Sequence, residues 1–246
     1  MASRVSRRKK PSRDDFMLKE RFKIESEVFD RETLMSISKM FQKGILECID
    51  YPISTGKEAN VFRATTPSGA FAAVKIYKVE TALFLKKSDY LAGDPRFENI
   101  KHNDRQIVFA FARKEFKNLQ ICERAGVHAP RPYYVDRNIV VMEFLGEGGL
   151  PYPQMSLLGP RSEKDLVSIL ADIKKMYKAG LVHADVSEFN ILLAEAPHLI
   201  DFGQGVVLSH PKAQDFLERD VRNIIRYFEK CGFKKDFEKE LKKIRG

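Results

Sequence analysis

The sequence predicts an α+β fold of two lobes, strand-rich in its first half and helical in its second. Apolar runs of strand length, Phe71 to Val79 and Asn138 to Phe144, lie before residue 145, whereas the longer patterns after about residue 160 are helical. Between them, Gly146-Glu147-Gly148-Gly149-Leu150-Pro151-Tyr152-Pro153 is the sharpest compositional break in the interior and the natural lobe boundary. The division that follows is a flexible basic arm (1–15), an N-terminal helical extension packed on the N-lobe (16–50), the N-lobe (51–144), a hinge (145–153) and the C-lobe (154–246).

Each element has its own signal. Asp30 can cap a helix over Arg31 to Lys43, ended by Gly44, with Leu34, Ile37, Met40 and Phe41 on one face. The strand Phe71–Val79 follows a Pro67-Ser68-Gly69 turn. Ser88 to Asn103, rich in Gly, Pro, Asp and Asn, reads as an insertion. A helix from Asp104 or Arg105 to Arg124 carries Val108, Phe111, Ala112, Leu119 and Cys122 on its apolar stripe and is closed by Gly126. Pro132–Asp136 pairs with Asn138–Phe144 through a tight turn. In the second half, Ser162 begins a helix to about Tyr177 or Ala179, and Gly180 stops it. Ile191–Leu193 and His198–Ile200 form a hairpin turning at Glu195-Ala196-Pro197, and another helix starts around Pro211 to Ala213. A basic cluster of Lys230, Lys234, Lys235, Lys239, Lys242, Lys243 and Arg245 is placed on a C-terminal helix, where Asp236, Glu238 and Glu240 make it read as an ordinary charged face.

The chemistry lies in His183-Ala184-Asp185-Val186-Ser187-Glu188-Phe189-Asn190, followed eleven residues later by Asp201-Phe202-Gly203. Protein kinases place a catalytic base and two Mg²⁺ ligands in that order and at that spacing. Asp185 is the candidate base. Asn190, a hard neutral oxygen donor, and Asp201 are candidate metal ligands, brought face to face by the hairpin between them. His183 is read as a packing and hydrogen-bonding residue of the loop.

Upstream, Ser54-Thr55-Gly56-Lys57-Glu58-Ala59-Asn60-Val61 lies on the kinase pattern G-x-G-x-x-G-x-V with Ser54, Gly56 and Ala59 at its glycine positions and Val61 in register. Only one glycine is retained, which stiffens a phosphate loop to which Ser54, Gly56, Lys57 and Val61 are assigned. Ala72-Ala73-Val74-Lys75 is the counterpart of V-A-I-K, and a Lys among apolar strand residues needs a partner. Glu115, midway along the next helix, is the candidate to hold Lys75 against the nucleotide's phosphates, with Glu123 as rival and a surface ion pair as the bland alternative. Glu143, Phe144 and Leu145 are the candidate adenine-binding backbone, while Met142 reads as core as readily as nucleotide contact.

The segments 54–62, 73–77, 183–192, 199–206 and 218–228 together resemble the RIO family of atypical serine/threonine protein kinases, specifically its type-one branch, over roughly residues 24 to 244. The resemblance implies a trimmed two-lobed protein-kinase-like fold using ATP and Mg²⁺, with Mn²⁺ as a substitute, in late maturation of the small ribosomal subunit. It also implies that Asp201 accepts a phosphoryl group in an aspartyl-phosphate ATPase cycle, and that the loop containing Ser88 takes autophosphorylation. Departures are informative. Ser187 stands where most protein kinases have a phosphate-contacting Lys, and the A-P-E sequence and long activation segment are absent. Two other readings stay open: a small-molecule phosphotransferase of the aminoglycoside or choline kinase type, and a nucleotide-gated RNA-particle binding factor.

Composition bounds the partners. A formal net charge of +9, with Arg4, Arg7, Arg8, Lys9, Lys10 and Arg13 in the arm, points to a polyanion such as ribosomal RNA or a subunit precursor, against the alternative of a solvated tail. No apolar run approaches the roughly 18 residues of a membrane span and no apolar region follows the basic start, so a soluble cytoplasmic protein is expected. Cys48, Cys122 and Cys231, odd in number and widely spaced, fit a reducing compartment and neither disulfides nor zinc.

Overall fold

The computed structural model describes residues 29–79, 93–94 and 104–246. The basic arm, most of the residue 16–50 extension before Phe29, and Ser88 lie outside the described residues.

An antiparallel sheet forms the first lobe. Its strands are β1 (Cys48–Thr55), β2 (Ala59–Thr65), β3 (Phe71–Tyr77), β4 (Pro132–Asp136) and β5 (Ile139–Glu143), in the order β1-β2-β3-β5-β4. The central strand β3 is buried from Ala72 to Tyr77, and its register sets Lys75 opposite Val61 on one side and Val140 on the other. One sheet face packs on helix α1 (Arg31–Gln42) and the residues just after it, through Ile37, Met40 and Leu46 against Phe62, Val74, Ile76, Ile139 and Val141. Asp30 Oδ1 caps α1 by accepting from Thr33 N at 2.9 Å. Asn138 ties this helix to the sheet, donating to Thr33 Oγ1 at 2.9 Å and Tyr77 O at 2.8 Å.

The other face meets helix α2 (Asp104–Ala125), whose Val108, Phe111, Ala112, Leu119 and Cys122 join a core continuous with the second lobe. Gly126 follows at φ +67°, left-handed as a helix terminator requires. The second lobe is built on α3 (Met155–Leu158), α4 (Glu163–Lys178, capped by Ser162), α5 (Ala213–Lys230) and α6 (Phe237–Arg245). Short pairs join them: β8 (Leu181–Val182) with β11 (Val206–Val207), and β9 (Ile191–Leu193) with β10 (Pro197–Leu199). None of the helices among the described residues is long and apolar enough to cross a membrane.

Several boundaries differ from the sequence reading. β3 ends at Tyr77 rather than Val79, with Lys78 N donating one last ladder-like bond to Glu58 O at 2.8 Å where β2 gives way to the turn before it. Pro197 belongs to β10 instead of the turn, its missing N–H costing nothing at the strand's first residue. The segment read as a hinge is partly structured. β6 (Gly146–Glu147) and β7 (Leu150–Pro151) make a hairpin, its turn taken by Gly148 at φ +58° and Gly149 at φ +82°. Tyr51 Oη at 2.8 Å and Arg63 Nη1 at 3.1 Å both donate to Gly149 O, pinning the hairpin to the first lobe. The C-terminal basic cluster does not share one helix. Lys230 ends α5, Lys234 and Lys235 lie in the connection, and acids pair with Lys235 (Glu163), Lys243 (Glu240) and Arg245 (Glu218).

Candidate active site

A cleft of about 690 Å³ separates the lobes. Ser54, Gly56, Lys57, Val61, Lys75 and Glu115 line it from the first lobe, Glu143, Phe144 and Leu145 from the connection, and Asp185, Asn190 and Asp201 from the second. The structure therefore brings all the candidate residues to one cavity. Met142 lines it too, while Glu123, the rival to Glu115, is exposed in the last turn of α2.

Lys75 is the electrostatic centre. Its Nζ donates to Glu115 Oε1 and to Asp201 Oδ1, each at 2.7 Å, and Tyr77 Oη donates to Glu115 Oε2 at 2.6 Å. Burial opposes the ammonium, but Asp201 and Glu115 outweigh it and hold its pKa well above the ordinary lysine value. Burial and the Glu115 charge likewise raise the Tyr77 phenol, which stays a proton donor. Asp201 keeps nearly half its side chain exposed to the cleft, 47%. Removing either partner of the Lys75–Glu115 pair strands a buried charge, at a cost of roughly 3–5 kcal/mol.

Asp201 sits at φ +64°, ψ +68°, in the left-handed region that a β-carbon disfavours. What holds it there is Asn118 on α2, whose Nδ2 donates to Phe202 O and Gly205 O, both at 2.9 Å. The short β9–β10 hairpin returns the chain so that Ile200 N donates to Asn190 O at 3.0 Å, which sets Asn190 and Asp201 side by side.

The loop bearing Asp185 is anchored from α5. Asp220, fully buried, accepts from Ala184 N at 2.7 Å and Val186 N at 3.1 Å, the two peptide groups flanking the candidate base. Arg219 Nη2 donates to Ala184 O. Together they sustain Ala184 at φ +64°. Burial pushes the Asp220 carboxyl up to about 7 against the pull of those N–H groups. Asn190 Nδ2 donates to Asp185 Oδ2 at 3.0 Å and to Asp185 O at 2.9 Å, fixing the carboxylate. His183 is a packing residue: its ring lies 4.6 Å from that of Phe202, its Nε2 meets Ile200 O at 3.1 Å, and burial lowers its pKa to about 4.

The phosphate loop is smaller than its motif. Ser54 and Val61 face each other as strand partners, leaving Gly56–Glu58 as a tight turn closed by Gly56 N to Ala59 O at 2.9 Å. Lys78 Nζ donates to Gly56 O at 2.6 Å. The sequence reading missed Tyr77, Asn118 and Asp220 as supporting residues. Asp220 stood inside a quoted segment, but its partner peptide lies 36 positions upstream and no local signal pairs them.

The donor set fits Mg²⁺. Asp185, Asn190 and Asp201 offer hard oxygens only, and Mg²⁺ bound with phosphates takes one or two protein carboxylates and keeps its water.

A family model described as "RIO domain" matches residues 60–241. The chain belongs to the RIO family. Among curated relatives, the RIO-type serine/threonine-protein kinase Rio1 of Haloferax volcanii is 41% identical, over 94% of this chain and 82% of the relative. Rio1 of Methanocaldococcus jannaschii is 40% identical over 87% and 76% respectively. The human serine/threonine-protein kinase RIO1 is 36% identical over 82% of this chain, which spans only 37% of that longer protein. These place the chain in the Rio1 branch, and as a RIO kinase it is an ATP-dependent phosphotransferase. The fold matches the Chaetomium thermophilum Rio2 kinase, solved as an ADP/Mg²⁺-phosphoaspartate complex, with a TM-score of 0.60 at 23% identity over 84% of this chain and 64% of that one.

Proposed function

We propose that this chain is a Mg²⁺-ATP-dependent serine/threonine kinase and ATPase acting in the cytoplasm on the maturing small ribosomal subunit, with Asp201 as a phosphoryl acceptor in its own right. The observation that carries the reading is the convergence of Lys75, Glu115 and Asp201 through contacts of 2.7 Å at the wall of a cleft that also holds Asp185 and Asn190.

Bound Mg²⁺-ATP, or Mn²⁺-ATP, supplies the transferable phosphoryl group and ADP as leaving group. Lys75, kept charged by its two carboxylates, would lie against the phosphates; Asn190 and Asp201 would hold the cation. Asp185, oriented by Asn190, takes the proton from an attacking hydroxyl. Asp201, once ionised, needs no base to act as nucleophile, and its exposure to the cleft makes it reachable. The phosphoaspartate in the Rio2 complex supports this second role by analogy of fold.

The ribosomal assignment is supported by the net charge of +9 and by six basic residues within the first 13. Its test is incubation with γ-labelled ATP and Mg²⁺, with and without purified small-subunit precursors, in the full chain and in a deletion of residues 1–13. Precursors should change turnover or accept label. The deletion should weaken particle binding and reduce the slope of log affinity against log salt by about 0.7–0.9 per lost phosphate contact. Precursors without effect, and an unchanged slope, would refute the ribosomal role.

A further inference from the structure

Beside the cleft, the second lobe presents an apolar lip. Leu157 and Leu158 on α3 are 74% and 69% exposed, and Phe189, between the base Asp185 and the metal ligand Asn190 in the chain, is 61% exposed. The two elements are joined: Gln154 Nε2 donates to Phe189 O at 3.0 Å, and α3 packs on the short helix Glu188–Asn190. Leu157 itself lines the cleft with Asp185 and Asn190, so the lip runs into the catalytic site without a break. Large apolar side chains left open at that spot are costly to keep in water.

Two carboxylates mark the lip. Glu188 precedes Phe189, and Asp185 lies just inside. From Ala179 to Pro211 the chain has no Lys or Arg. Arg161, three residues past Leu158, is committed to Asp165 at 2.8 Å and to the carbonyls of Ala194 and Glu195. These carboxylates favour a protein segment with an apolar side chain and basic neighbours over a phosphate backbone. Only eleven residues separate Asp201 from α5 at Ala213, too few for the extended activation segment on which most protein kinases lay their substrate.

We infer that Leu158, Phe189 and Glu188 form the docking site for the protein acceptor, recognising a large apolar side chain and a basic residue within a few positions of the acceptor Ser or Thr. The inference rests on the proposed transfer to protein hydroxyls and names the class of segment transferred to.

A library of Ser-centred peptides varied at flanking positions, with Mg²⁺-ATP, tests it. The wild type should favour a large apolar residue and a basic one. Phe189→Ala and Leu158→Ala should each lower kcat/KM on the preferred peptide about tenfold, mostly through KM, and flatten the apolar preference. Glu188→Lys should reverse the basic preference. ATP KM and hydroxylamine-labile self-labelling should stay within twofold in all three, which separates docking from damage to the site. Transfer to peptides with no apolar preference, or variants that lose nothing, would overturn the docking site alone. RNA oligonucleotides that compete with peptide in the wild type but not in Phe189→Ala would overturn it in favour of RNA. ATP hydrolysis without transfer to any peptide would refute the protein-kinase reading and the docking site with it.

Discussion

Of the two aspartates of the site, Asp201 stands on left-handed backbone and Asp185 follows a left-handed residue, and they are held from different lobes. Asp185 follows Ala184 at φ +64°, and its loop is gripped by Asp220 and Arg219 of α5, inside the second lobe. Asp201, itself at φ +64°, is gripped by Asn118 of α2 and Lys75 of β3, both in the first lobe. The proposed base is thus built into one lobe, whereas the proposed metal ligand and acceptor is completed by the other. Chemistry through Asp185 depends on the interior of the second lobe, and chemistry through Asp201 on the two lobes being together.

The largest effect should come from cutting the first-lobe hold on Asp201. Lys75→Ala and Asp201→Ala should each lower ATP turnover on the order of 10²-fold or more, measured at saturating Mg²⁺-ATP. They should differ in stability. Lys75→Ala leaves Glu115 buried with only the Tyr77 hydroxyl, and should cost about 3 kcal/mol in denaturant unfolding, while the half-exposed Asp201 should cost far less. Equal stabilities would mean that the buried pair is not what orders the first-lobe wall.

Next comes the anchor of the base. Asp220→Ala strands the N–H groups of Ala184 and Val186, which should cost about 2–4 kcal/mol and reduce transfer to hydroxyls at least tenfold. Labelling of Asp201 should fall less. A proportional loss of both activities would dissolve the distinction between the two aspartates.

A smaller effect tests the packing between them. His183 is buried neutral, its pKa lowered by burial to about 4 from an ordinary 6.5. A depressed folded-state value means that its contribution is fully present above about pH 6.5 and is lost as the pH falls toward 4, by about 3 kcal/mol. Asp220, raised to about 7, acts in the opposite sense, gaining stability as the pH falls from 7. The difference between wild type and His183→Gln isolates the histidine: wild type should lose about 3 kcal/mol more between pH 7 and pH 4. Parallel curves would place solvent at the ring.

The smallest effect is expected in the phosphate loop. A β-carbon at Gly56 would lie 3.1 Å from Ala59 O, the carbonyl that closes the turn, and accommodating it takes a shift of a few tenths of an ångström, so Gly56→Ala should raise the KM for ATP only a few-fold.

The residues proposed to do chemistry were legible as candidates because phosphates and metal dictate type and spacing: Lys75, Asp185, Asn190 and Asp201 stand in short segments, and the fold gathers them at one cleft. Glu115 was legible from a helical stripe and the need of a buried lysine for a partner. The supporting residues were not. Asp220, Asn118 and Tyr77 act across 36, 84 and 38 positions of sequence, and each is an ordinary helix or strand residue until the fold brings its partner near. The interlobe hairpin was read as a linker because glycine signals a turn without saying whether strands flank it; Gly149 O accepting from Tyr51 and Arg63 is a tertiary fact.

The division of labour between the aspartates is tested most directly by labelling the wild type, Asp185→Ala and Asp201→Asn with γ-labelled ATP and Mg²⁺ and treating each with hydroxylamine, which cleaves acyl-phosphate and spares phosphoserine. The wild type should carry hydroxylamine-labile label that Asp201→Asn cannot form, and Asp185→Ala should keep that label while its transfer to hydroxyls falls on the order of 10²-fold. Label that resists hydroxylamine throughout, or loss of both activities together in Asp185→Ala, would contradict the account.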